Sequence, residues 1–296
     1  HPTPTVAPLI SAPGHLSPLS MIAALLCATS ALVVKQPTTT VPAPVLKLRG
    51  GLAGLDGNQV ATYASWVLAA NSAVMTLAPE KAVEMYGVKS SSLVVSQFVE
   101  YAGSSMLSIA IASILALGGM DFATAVAWGF VPQCVLNVQG FLNEKMTKMG
   151  FGQAAKFMPT IVSLVLTAGL FGKLSFLDTA MALKIAAGWS AINGLGGYFA
   201  TADFMKAWEG PTMSPVETAI AKFFCSPLLM GGIFCGSVAF LDSDVLTAIG
   251  HTWAASLATQ LDANFISKTT DVIGADKNPQ YAWMAIQALV TGSILA

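Results

Sequence analysis

The chain has 296 residues, of which 54% are hydrophobic and only 10% are charged, and its formal net charge is −1. Soluble domains usually carry about 25% charged residues, and a water-soluble protein of this size could not cover its surface with so few. The near-neutral charge also lacks the basic character of nucleic-acid-binding proteins. The composition therefore predicts an integral membrane protein and no nucleic-acid partner.

The first 51 residues differ from the rest, because they are rich in Pro, Thr and Ser and contain no Asp or Glu. An apolar run at 21–34 is about as long as a signal-peptide core and too short to span a bilayer comfortably. The stretch 35–51 is hydroxylated, basic and free of acidic residues, as transit peptides are. We therefore expect a leader over 1–51, with a signal-like part followed by a transit-like part.

Beyond the leader, apolar runs of membrane-spanning length predict eight helices. They lie at 58–78, 91–118, 122–143, 154–172, 178–201, 215–241, 244–267 and 279–296. The start of the sixth helix is marked by Ser214, Pro215 and Glu217, which have the spacing of a capping box with proline at the first helical position. The sequence thus predicts an all-α, polytopic membrane bundle of about eight spans.

Lysines are concentrated in alternate joints between the predicted spans. The joints after spans one, three, five and seven hold Lys81, Lys89, Lys145, Lys148, Lys206, Lys268 and Lys277. The opposite joints hold Lys173 together with Asp121, Asp178, Asp242 and Asp244. By the positive-inside rule, the lysine-rich side should face the stroma or the cytosol.

The chain also looks duplicated. Residues 122–128 align with 245–251, and Phe157-Met158 aligns with Trp283-Met284, at an offset of 123 to 126 residues. We predict two four-span halves, 52–173 and 174–296. Because an even number of spans returns the chain to its starting side, the halves would be parallel repeats about an axis along the membrane normal.

Small residues at four-residue spacing predict close helix packing, because they let backbones approach one another. The second span carries such a stripe at Ser104, Ser108, Ala112 and Ala116. The fifth span repeats it at Ala186, Ser190 and Gly194, and the sixth carries a GxxxG motif at Gly232 and Gly236. The pattern does not distinguish packing inside one chain from packing against a partner.

No catalytic signature occurs in the sequence: there is no GxSxG, HExxH, P-loop or dinucleotide fingerprint. His251 is the only histidine beyond the leader. A multi-histidine metal cluster, or a haem held by two histidines of this chain, is therefore excluded. We do not expect an enzyme.

Polar side chains inside the predicted spans are the candidate binding residues. Glu100 would be costly if it were charged and lipid-facing, so it needs a structural partner or a role in proton or substrate coupling. Gln133, Asn137 and Gln260 also need partners in hydrocarbon. They either bond across helices or act as axial ligands to the Mg of chlorophyll. His251 is the best single metal-ligand candidate, the alternative being a hydrogen bond to a neighbouring helix.

The two-part leader resembles those of nuclear-encoded plastid proteins in algae with red-lineage secondary plastids, and Leu48-Arg49-Gly50-Gly51 is similar to the end of such a leader. The polytopic, aromatic-rich remainder resembles the non-antenna linker subunits of photosystem–antenna supercomplexes. It departs from the light-harvesting proteins, whose spanning helices carry an acidic residue, Asn or His, and Arg, because the mature region has no Arg.

This resemblance implies a non-catalytic, multi-pass subunit of the plastid thylakoid membrane that joins chlorophyll–carotenoid antenna proteins to a photosystem, with photosystem I preferred. It implies photosystem core subunits, antenna proteins and membrane lipids as partners, and chlorophyll and carotenoid at the periphery. The alternative is a small-solute transporter of the plastid built from parallel repeats, for which Pro132, Pro159 and Pro227 mark candidate helix breaks. A membrane protein with no pigment role is a third reading.

Overall fold

The computed structural model describes residues 55–88 and 92–295, and the predicted leader over 1–51 lies outside these residues. This described part contains eight long helices and four short ones, and it contains no strands. The long helices are α1 (Gly57–Leu77), α3 (Leu93–Leu117), α4 (Phe122–Leu142), α6 (Gln153–Leu170), α7 (Thr179–Phe199), α9 (Pro215–Leu241), α10 (Val245–Leu261) and α12 (Lys277–Leu295). The short ones are α2 (Pro79–Met85), α5 (Lys145–Lys148), α8 (Thr201–Ala207) and α11 (Thr269–Ile273), and a π-helical segment, Asp262–Ile266, continues α10.

Each of the eight predicted segments contains a long helix, with bounds that agree to within a few residues. Within the described residues, five helices are long and apolar enough to cross a membrane: α1, α3, α4, α6 and α9. The other three long helices are shorter or more polar; α10, for example, has 17 residues. The described part of the chain is therefore all-α, with five candidate membrane-spanning helices.

Short polar side chains determine where most of the long helices begin. At six N-caps a side-chain oxygen accepts a hydrogen bond from the backbone N–H three residues later, which satisfies a donor that the helix leaves free. These caps are Asp56, Ser92, Asp121, Asp178, Ser214 and Asp244. The predicted capping box is present: Ser214 N donates to Glu217 Oε2 over 2.9 Å, and Glu217 N donates to Ser214 Oγ over 3.3 Å.

Two helices, α3 and α9, form the centre of the bundle. Helix α3 packs against α1, α4 and α9. Of the residues in its most apolar 18-residue stretch, 94% are buried inside the protein. Helix α9 packs against α7, α10 and α3. On the outside, α6 packs against α4 and α7, while α12 packs against α10 and α1. The small residues of α3 predicted to allow close packing, from Ser104 to Ala116, are all buried.

Helices α7 and α9 approach each other so closely that glycine is required at the contact. A Cβ atom on Gly232 would lie 2.6 Å from the backbone nitrogen of Ala191, and one on Gly194 would overlap the backbone of Leu229. Gly232, in the GxxxG motif of the sixth predicted span, therefore packs against a helix of the same chain.

Two backbone hydrogen bonds link the lysine-rich joints in pairs. Gly152 N, after α5, donates to Glu209 O, after α8, over 3.1 Å. Asp276 N, after α11, donates to Tyr86 O, after α2, over 3.2 Å. These joints therefore meet at one end of the bundle, which we call the lysine-rich end.

Candidate functional site

Two cavities lie among the helices near the lysine-rich end. The first cavity has a volume of about 100 Å³ and is lined by Gln133 and Asn137 of α4, together with residues of α3, α6, α7, α8 and α9. The second cavity has a volume of about 130 Å³ and is lined by Gln260 of α10, together with residues of α1, α2, α3, α9, α11 and α12. The structure thus separates the predicted amides between two sites.

In the first cavity the amides are largely used for helix packing. Asn137 Nδ2 donates to the carbonyl of Pro159 over 3.3 Å and to Ser163 Oγ over 3.2 Å, which joins α4 to α6. Asn193 Nδ2 donates to the carbonyl of Trp189 on its own helix over 2.7 Å. Gln133 makes no side-chain hydrogen bond to another described residue and also lines a small cavity of about 30 Å³ between α3, α4, α7 and α9.

The polar side chains of the second cavity are only partly hydrogen-bonded. Tyr86 Oη donates to Asn71 Oδ1 over 2.9 Å. Burial raises the pKa of Tyr86, so the phenol keeps its proton and remains the donor of this bond. Gln260 Oε1 is buried and has no hydrogen-bond partner among the described residues.

Aromatic side chains enclose both cavities. In the first, the rings of Trp189 and Trp208 meet edge to face with centroids 6.2 Å apart. In the second, Phe98 of α3 and Trp283 of α12 are both lining residues. Among the described lining residues of both cavities none is charged, so these sites suit neutral, mainly apolar ligands. Both volumes are below the roughly 300–1,000 Å³ of sites that enclose a whole organic molecule.

Glu100 lines neither cavity and instead forms an ion pair with Lys145. Both carboxylate oxygens lie 2.8 Å from Lys145 Nζ, and Glu100 is only 9% exposed. The lysine belongs to α5, so the pair ties the centre of the bundle to the joint after α4. The structural partner that Glu100 needs is therefore present, and a role in proton or substrate coupling stays a prediction.

A second ion pair joins α9 to the end of α10. Lys222 Nζ and Asp262 Oδ2 are 2.8 Å apart, and the hydroxyl of Tyr198 donates to the same oxygen over 2.7 Å. Lys222 also lies 4.5 Å from the centroid of the Tyr198 ring, which adds a cation–π contact.

His251 lies toward the opposite end of the bundle, roughly 9 Å along α10 from its first residue at 1.5 Å per residue. Its Nδ1 and Ser237 Oγ on α9 are 3.1 Å apart, so the predicted hydrogen bond to a neighbouring helix is present. Its Nε2 has no hydrogen-bond partner among the described residues. A half-buried imidazole with one nitrogen held and the other without a partner fits the axial site of a chlorophyll Mg. Ligation itself stays a prediction.

The described residues contain no group of three or more His, Cys, Asp or Glu side chains that could hold a metal ion. A chlorophyll needs only one axial ligand, so this finding does not bear on His251. Comparisons with protein-family models, curated proteins and solved structures find no match.

Four residues that line the cavities were not among the predicted site residues: Asn71, Tyr86, Trp208 and Gln280. A signal was present in their spacing: Asn193 follows Asn71, and Trp208 follows Tyr86, by 122 residues. The offset used for the alignment, 123 to 126 residues, was slightly too long at these positions and missed both matches.

Proposed function

We propose that this chain is a non-catalytic subunit of the plastid thylakoid membrane that joins chlorophyll–carotenoid antenna proteins to a photosystem, with photosystem I preferred. The observation that carries the proposal is the apolar surface that α6, α7 and α12 each present on the outside of the bundle. Its exposed large side chains are Phe157, Met158, Ile161, Leu164, Val165, Met181, Ile185, Ile192, Leu195, Phe199, Tyr281, Ile286 and Leu289. Such a surface needs lipid, pigment or partner helices around it, and the resemblance of the leader points to the plastid.

In the same proposal, all eight long helices cross the membrane as two parallel four-helix repeats, 52–173 and 174–296. Helices α7 and α9 begin 122 residues after α1 and α3, α10 begins 123 residues after α4, and α12 begins 124 residues after α6. The N-cap residues also agree between the halves, in the pairs Asp56 and Asp178, Ser92 and Ser214, and Asp121 and Asp244.

The packing supports the repeat as well. The contacts of α1 with α3, α3 with α4, and α4 with α6 recur as contacts of α7 with α9, α9 with α10, and α10 with α12. The contact of α6 with α7 recurs as that of α12 with α1. Each half also provides one donor and one acceptor to the two backbone bonds between the joints. A two-fold axis along the membrane normal accounts for all of these pairs.

In this arrangement the lysine-rich end faces the stroma, following the positive-inside rule. Both ends of the mature chain then lie on the lumenal side. Treatment of sealed thylakoids with an impermeant amine reagent should label Lys81, Lys148 and Lys206 from the stromal side. Labelling from the lumenal side alone would reverse the orientation.

The experiment that tests the linker role is separation of detergent-solubilised thylakoid complexes from a red-lineage alga that carries this chain. We expect the chain to migrate with a photosystem–antenna supercomplex. We also expect its loss to release antenna proteins while the photosystem core remains intact. Migration as a free monomer, with supercomplexes unchanged in a strain that lacks it, would contradict the proposal.

A pigment site at His251 gives a sharper expectation. If Nε2 ligates chlorophyll, His251→Leu should remove about one chlorophyll per purified complex, since leucine has no electron pair to donate. Ser237→Ala removes only the hydrogen bond to Nδ1 and should retain that chlorophyll. Pigment extraction and quantification on both variants measures the difference. A His251→Leu complex with an unchanged chlorophyll content would leave His251 with a packing role alone.

A small-solute transporter is the second candidate function, and the two similarly placed cavities favour it. Transporters built from repeats usually have helices that are broken near the substrate. Here α4, α6 and α9 continue through Pro132, Pro159 and Pro227. Reconstitution in liposomes with uptake of neutral solutes would distinguish this function from a linker role.

A further inference from the structure

The second cavity carries an inference that does not depend on the photosystem role. It is lined by residues of α1, α2, α3, α9, α10, α11 and α12, and it contains two carboxamides that make no side-chain hydrogen bond to another described residue. Gln260 Oε1 is buried and has no hydrogen-bond partner among the described residues. Gln280, at the start of α12, is only 7% exposed, and its side chain makes no hydrogen bond to another described residue.

A buried amide oxygen without a partner is costly, because removing a polar group from water costs free energy unless a hydrogen bond replaces the lost one. Gln97, Asn264 and Gln287 also have such an oxygen among the described residues, but only that of Gln260 belongs to a residue that lines this cavity. The first cavity shows the ordinary outcome, since Asn137 there bonds to both Pro159 and Ser163. In the second cavity, Tyr86 and Asn71 already bond to each other, because the Tyr86 hydroxyl donates to the Asn71 amide oxygen. Gln260 and Gln280 therefore remain available to a molecule that enters the cavity.

The lining limits what that molecule can be. Among the described lining residues none is charged, which excludes a carboxylate, phosphate or ammonium group buried without a counter-ion. Most of the remaining surface is aromatic or aliphatic, with Phe98, Phe223 and Trp283 among the lining side chains. The volume of about 130 Å³ admits a ring or a short length of chain, but not a whole lipid.

We propose that the second cavity binds the hydroxyl-bearing end of a neutral, lipid-soluble alcohol through Gln260 and Gln280. The orphaned Gln260 Oε1 is an acceptor, so the ligand must bring a donor. A hydroxyl both donates to a carboxamide oxygen and accepts from a carboxamide NH₂ group. Ethers, esters and ketones lack the donor, and hydrocarbons lack both. The apolar body of a long-chain alcohol exceeds the cavity volume, so it would extend outside the cavity.

The test uses the full chain in lipid nanodiscs and two photoreactive probes. One is a long-chain fatty alcohol with a diazirine near its hydroxyl, and the other is the methyl ether of the same compound. We expect about tenfold more labelling by the alcohol, because one hydrogen bond to a buried polar group corresponds to about a factor of ten in affinity. Mass spectrometry should find the label on the helices that line this cavity, above all α10 and α12, which carry Gln260 and Gln280.

Two variants and a matched control connect the preference to the proposed residues. Gln260→Leu and Gln280→Leu should each remove most of the preference for the alcohol and leave labelling by the ether unchanged, which also reports that the cavity has formed. Gln139→Leu changes the same residue type on α4, away from this cavity, and should retain the preference.

Equal labelling of the unaltered chain by alcohol and ether would overturn the proposal, as would label confined to other helices. This comparison needs no variant, so it decides the question even if a variant fails to fold. A preference for the alcohol that survives both glutamine substitutions would also overturn the assignment. In that case ordered water fills the cavity, and the alcohol binds elsewhere.

Discussion

Gly232→Ala is expected to lower the free energy of unfolding by about 1–3 kcal/mol, the usual cost of overpacking a well-packed contact. The added Cβ would lie 2.6 Å from the backbone nitrogen of Ala191 and 2.8 Å from its Cα. Backbone atoms cannot rotate away as a flexible side chain can, so α7 and α9 must separate. Because these two helices form the most extensive contact in the bundle, their separation should also loosen the contact of α9 with α3. Reversible unfolding in mixed micelles, followed by tryptophan fluorescence, measures the change.

The same chain provides a matched control on the partner helix. A Cβ on Gly188 of α7 would meet nothing within 4 Å, so Gly188→Ala should leave stability unchanged or slightly increase it, since alanine is the better helix former. Gly194→Ala, which overlaps the backbone of Leu229, should behave like Gly232→Ala. If Gly188→Ala and Gly232→Ala had equal effects, the close approach of α7 and α9 would be refuted.

Lys145→Met is expected to lower the free energy of unfolding by about 3 kcal/mol, the low end of the cost of breaking a buried ion pair. The low end applies because the side chain of Lys145 is 24% exposed to solvent. The substitution leaves the carboxylate of Glu100 buried without its partner, which costs free energy because no opposite charge then compensates it. Replacing both residues by Met should recover much of the loss, since no charge is then stranded. A double-mutant cycle in the same unfolding assay measures the coupling between the two residues.

The ion pair between Lys222 and Asp262 has its charges in the reverse order along the chain, and it provides a comparison for this prediction. Lys222 of α9 follows Glu100 of α3 by 122 residues, and its partner, Asp262, lies near the end of the next long helix. If the halves are repeats, the second half has a lysine where the first has Glu100 and pairs it with an acidic residue, so Glu100→Lys combined with Lys145→Glu should be tolerated. Lys206→Met breaks an exposed pair with Asp203 and should have little effect. A charge-reversed protein as unstable as Lys145→Met would contradict the predicted equivalence.

Sequence reasoning predicted the helices well, because the signals that determine them are local. Apolar run length identified all eight long helices, and the capping box at Ser214 and Glu217 gave the first residue of α9. Polar caps and proline at the first turn act on backbone groups only three or four residues away. The short helices α2, α5, α8 and α11 were not predicted, because segments of four to seven residues carry too little periodicity to detect.

The functional candidates could be predicted as residue types but not as sites. Glu100 needed a partner, yet only the folded position of α5 identified Lys145, which lies 45 residues away. The amides Gln133, Asn137 and Gln260 were grouped together from their residue type, and the structure divides them between two cavities. The rotation of a helix about its axis decides which neighbour a side chain meets, and in a membrane both lipid-facing and buried faces are apolar, so composition does not reveal that rotation.

The amino-acid sequence by itself determined that this is a helical membrane protein with few charges and where its helices begin and end, since hydrophobicity and capping depend on nearby residues. Only the tertiary structure decided that Ser237 holds His251 and that Asn137 is satisfied while Gln260 is not. Those outcomes depend on contacts between helices that are distant in the chain. The physical reason is that hydrogen bonds act over about 3 Å, and only folding brings such groups within that distance.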